Sequence, residues 1–182
     1  MKEKLFGVGL VGAGLVGKRR ATTLQDRDDC TLQIVCDVDA AQAEFVVRQH
    51  NCQKTTDWRK VVQDPDVDAV IVATPTAFHV PISVAAMKQG KHVLCEKPTA
   101  RNADAALVMM QAAKDNNVCL KIGFNHRHLP NVRKAYELVR SGEIGELMYA
   151  RARYGHGGRP GYENEWRTQA DLAGGGELLS QG

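Results

Sequence analysis

Near the start of the chain, GVGLVGAGLVG (7–17) holds the pattern G-x-G-x-x-G in two overlapping registers, Gly7/Gly9/Gly12 and Gly12/Gly14/Gly17. Such spacing suits recognition of a pyrophosphate by bare backbone. The first glycine makes a tight turn, the second lets N–H groups approach the phosphates, and the third admits close packing of a helix whose N-terminus favours negative charge. The second register has an apolar run before it and a helix-like stretch after it, whereas the first begins inside the run. Gly12, Gly14 and Gly17, with Leu15 and Val16 between the last two, are therefore the expected turn.

Asp37 stands beyond Gly17 at the end of the Ile- and Val-containing run CTLQIVCD. A carboxylate there can accept hydrogen bonds from the ribose hydroxyls of NAD and repels the 2′-phosphate of NADP. With Val38 rather than an arginine following, NAD is the expected cofactor and NADP the less favoured one. The alternative is that the glycines serve packing and Asp37 caps the next helix, a task Asp39 could also perform. The basic cluster Lys18-Arg19-Arg20 either adds positive potential near the phosphates or forms a solvated helix face.

A second stretch, HVLCEKPTA, places Glu96 and Lys97 at the carboxyl end of a strand, where open α/β sheets bind ligands. Pro98 biases Lys97 away from the helical region. A lysine beside a nicotinamide can give or take the proton of a substrate oxygen while hydride moves at the adjoining carbon; a plain surface lysine is the alternative. His126 and His128 have no acidic or cysteine partner at ligand spacing, so no metal is expected.

The elements that must hold these residues alternate. Apolar strand-like runs (4–11, 30–37, 67–75, 91–97 and VCLKIGF) are separated by stretches of helical spacing, which implies βαβ units and a parallel sheet with helices on both faces. DWRKVVQD reads as a short helix capped by Asp57. After Asn125 the rhythm changes: a helix with Pro130 at its start, ELMYARARY alternating as a strand with one wet face, then Gly-rich irregular chain. The expected fold is α/β, a Rossmann-type doubly wound parallel sheet over 1–125 followed by the beginning of an incomplete α/β substrate and oligomerisation domain over 126–182.

Composition fits that class. With 182 residues, 43% hydrophobic and 25% charged, the chain can bury one sizeable core. No apolar run nears the roughly 20 residues of a membrane span, so no membrane partner is expected. A net charge of +3 without a long basic run argues against nucleic acid. Five cysteines without a CxxC pair suggest reduced thiols and a cytoplasmic protein, Cys36 and Cys95 acting as small buried hydrophobes.

VGAGLVG, IVCDVD, VATPTAFH, CEKPTA and GFNHR, in that order, with GEIGEL and GGGELL behind them, resemble the glucose-fructose oxidoreductase / inositol dehydrogenase family (Gfo/Idh/MocA) over nearly the whole chain. The resemblance implies NAD(P)-dependent hydride transfer between nicotinamide and a secondary alcohol or ketone of a sugar, inositol or nucleotide-sugar-like substrate. It also implies a second domain that holds this small molecule and a homo-oligomer when full length. Residue by residue, it implies Gly12, Gly14 and Gly17 at the pyrophosphate, Asp37 at the ribose, and Thr74, Pro75 and His79 on the path towards the nicotinamide. Asn125 would lie close to the nicotinamide, and Glu96 and Lys97 match the Glu-Lys-Pro motif with Lys97 catalytic. His79, just before Pro81, fits a helix cap equally well. Arg127, Tyr162, Trp166 and Arg167 are candidate substrate contacts, although core packing suits Trp166 too.

In that family a glycine-rich turn delivers a helix bearing Asp-x-Gly-x-His. Here Ser180 takes the Asp position, Gly182 the Gly, and the His would be residue 184. Serine cannot carry the charge that orients a histidine. The expectation is a partial enzyme chain, inactive alone; the alternative is a non-catalytic NAD(H)-binding sensor or pseudoenzyme of the same fold.

Overall fold

Strand β1 (Phe6–Val11) is buried from its second residue onward, as a central strand covered on both faces must be. It pairs in parallel with β2 (Cys30–Cys36) on one side and β4 (Ala69–Val72) on the other. Beyond β2 lies β3 (Gln53–Thr55); beyond β4 lie β5 (His92–Cys95) and β6 (Leu120–Ile122). This computed structural model, which describes residues 5–153, 155, 160–176 and 179, thus contains a six-stranded parallel sheet of order β3-β2-β1-β4-β5-β6. That is the doubly wound Rossmann order, with the winding reversed between β1 and β4.

Helices follow the carboxyl ends of the strands: α1 (Leu15–Gln25), α2 (Ala40–His50), α3 (Trp58–Gln63), α4 (His79–Lys88) and α5 (Ala103–Asp115). Three starts are fixed by side chains that satisfy an otherwise orphaned backbone donor: Asp39 accepts from Ala41 N, Asp57 from Arg59 N and Asn102 from Ala105 N. Alternate strand residues feed two cores. Leu10, Leu32, Val35 and Ile71 meet Ala21, Ala43 and Val46 of α1 and α2. Val70, Val72 and Val93 meet Val61, Met87 and Met109 of α3, α4 and α5. Cys36 and Cys95 are buried in the sheet, and burial pushes both thiols up to about 12, which leaves them inert hydrophobes.

Beyond a short turn at Asn125–His128, α6 (Pro130–Arg140) starts on a proline whose missing N–H is harmless there. It buries none of its residues, and Val132, Tyr136 and Val139 lie exposed. The strand expected over 146–154 is not seen among the described residues of that run: residues 147–153 have no regular structure, and Leu147, Met148 and Tyr149 are exposed. Alternation in a sequence says which face would be wet but supplies no ladder. No described strand lies beside this run, so an extended conformation there would leave its backbone groups unpaired. Conversely, β3 has no signature in the sequence, because three residues are too few to display a period. Among the described residues no helix is long and apolar enough to cross a membrane.

The chain then returns to the sheet edge. α7 (Ala170–Ala173) packs against the turn Thr76–Phe78, and Arg101 Nη1 donates to Asp171 O at 3.0 Å. Gly174, first of the glycine triplet, ends α7 with φ +83°, and a Cβ on it would stand 2.5 Å from Cγ of Arg101. A left-handed backbone and a closely seated arginine thus both require glycine at this position. Gly174→Ala is expected to destabilise this docking by about 1–2 kcal/mol, read as faster limited proteolysis between residues 153 and 176; an unchanged cleavage rate would show that the close approach is dispensable.

Candidate functional site

Two loops at the carboxyl edge of the sheet carry the residues singled out by the sequence. In the first, Gly12 N–H donates to Cys36 O at 2.8 Å, and the residue has φ +96° with the Ala73 carbonyl carbon 2.6 Å from where a Cβ would sit. A Cβ on Gly17 would collide with Gly12 O, so the first turn of α1 rests directly on the loop. Gly14 has open space where its Cβ would be. Gly7 and Gly9 lie within β1, as the choice of register required. No side chain caps α1 and no acid occupies its first turn. Its leading N–H groups, beside exposed Gly14 and Leu15 and half-buried Val16, are therefore offered to an anion.

Asp37 is fastened to this loop: Oδ2 accepts from Ala13 N at 2.7 Å and Oδ1 from Asp39 N at 2.9 Å. The capping of α2 falls to Asp39, so Asp37 is no helix cap. Each carboxylate oxygen has a second lone pair, which leaves acceptor capacity for vicinal hydroxyls. Val38 is 92% exposed, and residues 38–42 include no cation. The basic cluster divides three ways. Lys18 Nζ donates to Gln42 Oε1 at 2.7 Å and lies over the Phe45 ring, Arg19 is exposed, and Arg20 turns towards the second loop.

That second loop is shaped by His79. Expected either on the cofactor path or as the cap of the helix that follows, His79 is the first residue of α4, whose N-cap is Phe78. The histidine is 1% exposed and sits between two carbonyls, Nδ1 to Pro98 O at 2.8 Å and Nε2 to Thr74 O at 3.0 Å. The ring packs between the Thr74-Pro75 turn after β4 and the Lys97-Pro98 turn after β5. A neutral ring donates through one nitrogen only. Burial holds its pKa below the usual histidine range, against the two carbonyls, which favour the proton.

Above these turns opens a cleft of about 670 Å³, lined among others by Lys97, Thr99, Asn102, Asn125 and Arg127. Arg127 lies over the Phe124 ring at 5.7 Å. Glu96 is not among the residues that line the cleft and is 7% exposed; its Oε1 accepts from Arg20 Nε at 2.7 Å and from Arg20 Nη2. Nη2 also donates to Asn125 Oδ1 at 2.9 Å. In the sequence Arg20 is one of three adjacent cations, Lys18-Arg19-Arg20. The available signal was its place three residues after Gly17, one helical turn along from the glycine that seats α1 on the loop.

Tyr162, Trp166 and Arg167 do not line this cleft. Arg167 is paired with its own neighbour Glu165 at 3.0 Å and lies over the half-buried Trp166 ring. Ser180 falls outside the described residues, while Leu179 reaches the cleft wall. Among the described residues no three His, Cys, Asp or Glu side chains come together as metal ligands.

Comparison with known proteins matches the sequence and the fold. The family model described as the Gfo/Idh/MocA oxidoreductase family, NAD-binding Rossmann fold, covers residues 6–124, and that of the Gfo/Idh/MocA C-terminal domain covers 132–182. Levoglucosan dehydrogenase of Pseudarthrobacter phenanthrenivorans is 32% identical over 95% of this chain and 47% of its own length. Inositol 2-dehydrogenase 4 of Saccharopolyspora erythraea is 34% identical over 81% of this chain and 45% of its own. The solved structure of a levoglucosan dehydrogenase in complex with NADH and levoglucosan matches with a TM-score of 0.81 at 30% identity, over 95% of this chain and 50% of that one. The chain spans about half the length of the curated relatives it matches.

The buried imidazole makes stability depend on pH. Because its folded pKa is depressed, the unfolded chain takes up a proton first as pH falls through the ordinary value of 6.5, and the native state is then penalised. The thermal midpoint advantage of the native chain over His79→Gln should accordingly shrink from about pH 7.5 to about pH 5. A gap independent of pH would mean that this ring does not resist protonation.

Proposed function

The chain belongs to the Gfo/Idh/MocA family of NAD-binding oxidoreductases, and from that premise we propose that it supplies the cofactor site and the catalytic lysine of an NAD-dependent dehydrogenase acting on a CH–OH group of a sugar, inositol or nucleotide-sugar-like molecule. The observation that carries this reading is an uncapped, glycine-seated helix start fastened to Asp37 on the same sheet edge as a cleft lined by Lys97. The donors at α1 suit a pyrophosphate, and the remaining lone pairs of Asp37 suit the adenosine ribose. The carboxylate and the absence of a cation over 38–42 favour NAD over NADP. When bound, the cofactor accepts or delivers hydride at the nicotinamide C4.

Lys97 then has one task, to take the proton from the substrate hydroxyl in oxidation or return it to the carbonyl oxygen in reduction. Asn102, Asn125 and Arg127 give the cleft donors and acceptors that suit a polyhydroxylated ligand, and its volume is in the range of small-molecule sites. The named relatives, dehydrogenases of levoglucosan and inositol, support that substrate class. The same reading places Thr74 and Pro75 beside the nicotinamide, starts the substrate domain near residue 126, and makes the full-length protein a cytoplasmic homo-oligomer.

Two measurements test it. In fluorescence titrations Asp37→Ala should weaken NADH binding roughly tenfold or more and narrow the gap to NADPH; an unchanged preference removes the role given to Asp37. In a chain carrying a complete second domain, Lys97→Ala should lower turnover of levoglucosan or an inositol by about 10²–10⁴-fold with NADH affinity nearly intact. Surviving turnover would show that another group moves the proton.

A further inference from the structure

Glu96 lies at the end of β5 with 7% of its surface exposed, a charge the proposed reaction does not use. Its seat is built from three parts of the chain. Arg20, on α1, donates to Oε1 through Nε at 2.7 Å and through Nη2. Gly123, just past β6, makes room: a Cβ there would stand 2.8 Å from Oε2. Asn125, two residues further on, accepts from the same Nη2 at 2.9 Å.

A guanidinium has donors only, so Asn125 must turn its carbonyl oxygen to Arg20 and its NH₂ group the other way. Asn125 lines the cleft, whereas Arg20 does not. Dinucleotides lie across the carboxyl edge of such a sheet as two mononucleotide halves. With the adenosine half at Asp37, the nicotinamide half falls over β4, β5 and β6, where the carboxamide of nicotinamide offers a carbonyl oxygen.

We infer that Arg20 is a positioning residue that fixes the side-chain amide of Asn125 as a hydrogen-bond donor to the nicotinamide end of the cofactor, an inference resting on the cofactor reading above. Arg20 neutralises Glu96 with one edge of its fork and sets the Asn125 amide with the other. Lysine at this position keeps the charge but loses the planar fork, so the amide is free to turn over.

The test compares two probes on the full chain, NADH and ADP-ribose, the second lacking only the nicotinamide. Arg20→Lys, which keeps a counter-charge for Glu96, and Arg20→Gln are titrated with both. The expected result is an NADH Kd raised about tenfold, a blue shift of bound NADH fluorescence reduced, and an ADP-ribose Kd changed by less than about twofold. Should Arg20→Gln fail to fold, Arg20→Lys carries the test alone. Equal weakening of both probes, or unchanged NADH binding, would overturn the positioning role while leaving the cofactor reading in place. A wild-type chain that bound neither probe would overturn both.

Discussion

A carboxylate buried at the end of a β-strand is tolerated only when its charge is met within the protein, since leaving it unpaired costs about several kcal/mol. Glu96 is in that position, and the group that meets it comes from the helix opening the fold, 76 residues earlier. One ion pair therefore joins the first strand-helix unit, which presents a phosphate-sized row of N–H groups, to the turn that presents Lys97. The sheet sets the distance between the two parts of the site, and one arginine spans it. Arginine suits that task better than lysine, because its flat fork can serve the carboxylate and the Asn125 amide at once.

The two acids of this edge play comparable parts. Asp37 holds the Ala13 N–H and Glu96 holds Arg20, so each fixes protein geometry whatever else it touches. His79 completes the frame by packing between the carbonyls of Thr74 and Pro98, donating to one of them while neutral. Loops after parallel strands have no ladder to keep them in register with one another. Here side chains do so among the described residues: Asp37 links the loops after β1 and β2, Arg20 of α1 reaches the end of β5 across β4, and His79 packs between the turns after β4 and β5.

What could be read from the sequence follows from how local each feature is. The glycine turn is a property of a few consecutive backbone units, so Gly12, Gly14 and Gly17 announced it, as did the carboxylate after the next strand. Helix starts at Asp39 and Asp57 were legible for the same reason. The place of Arg20 was not, because its partners lie 76 and 105 residues away and composition alone makes it one of three adjacent cations. His79 allowed two readings, a place on the cofactor path or a helix cap, and its burial between two loops was not legible because the carbonyls it meets, Thr74 and Pro98, lie 5 and 19 residues away. ELMYARARY displayed the periodicity of a strand, yet a strand is made by its neighbour, and alternation carries no information about whether one is present.

The tie through Arg20 also bears on how such a domain can change over time. A doubly wound sheet is made of two similar halves, and a crossover between them is the natural breakpoint for exchanging segments among relatives. In this chain the breakpoint between α3 and β4 would separate Arg20 from Glu96, Gly123 and Asn125 together. A hybrid whose first half brought a shorter side chain at position 20 would inherit a buried, uncompensated acid. One whose second half brought a side chain at position 123 would have no seat for that acid at all. The halves are alike in shape but not interchangeable, and substitutions at these four positions are constrained to arrive as a set.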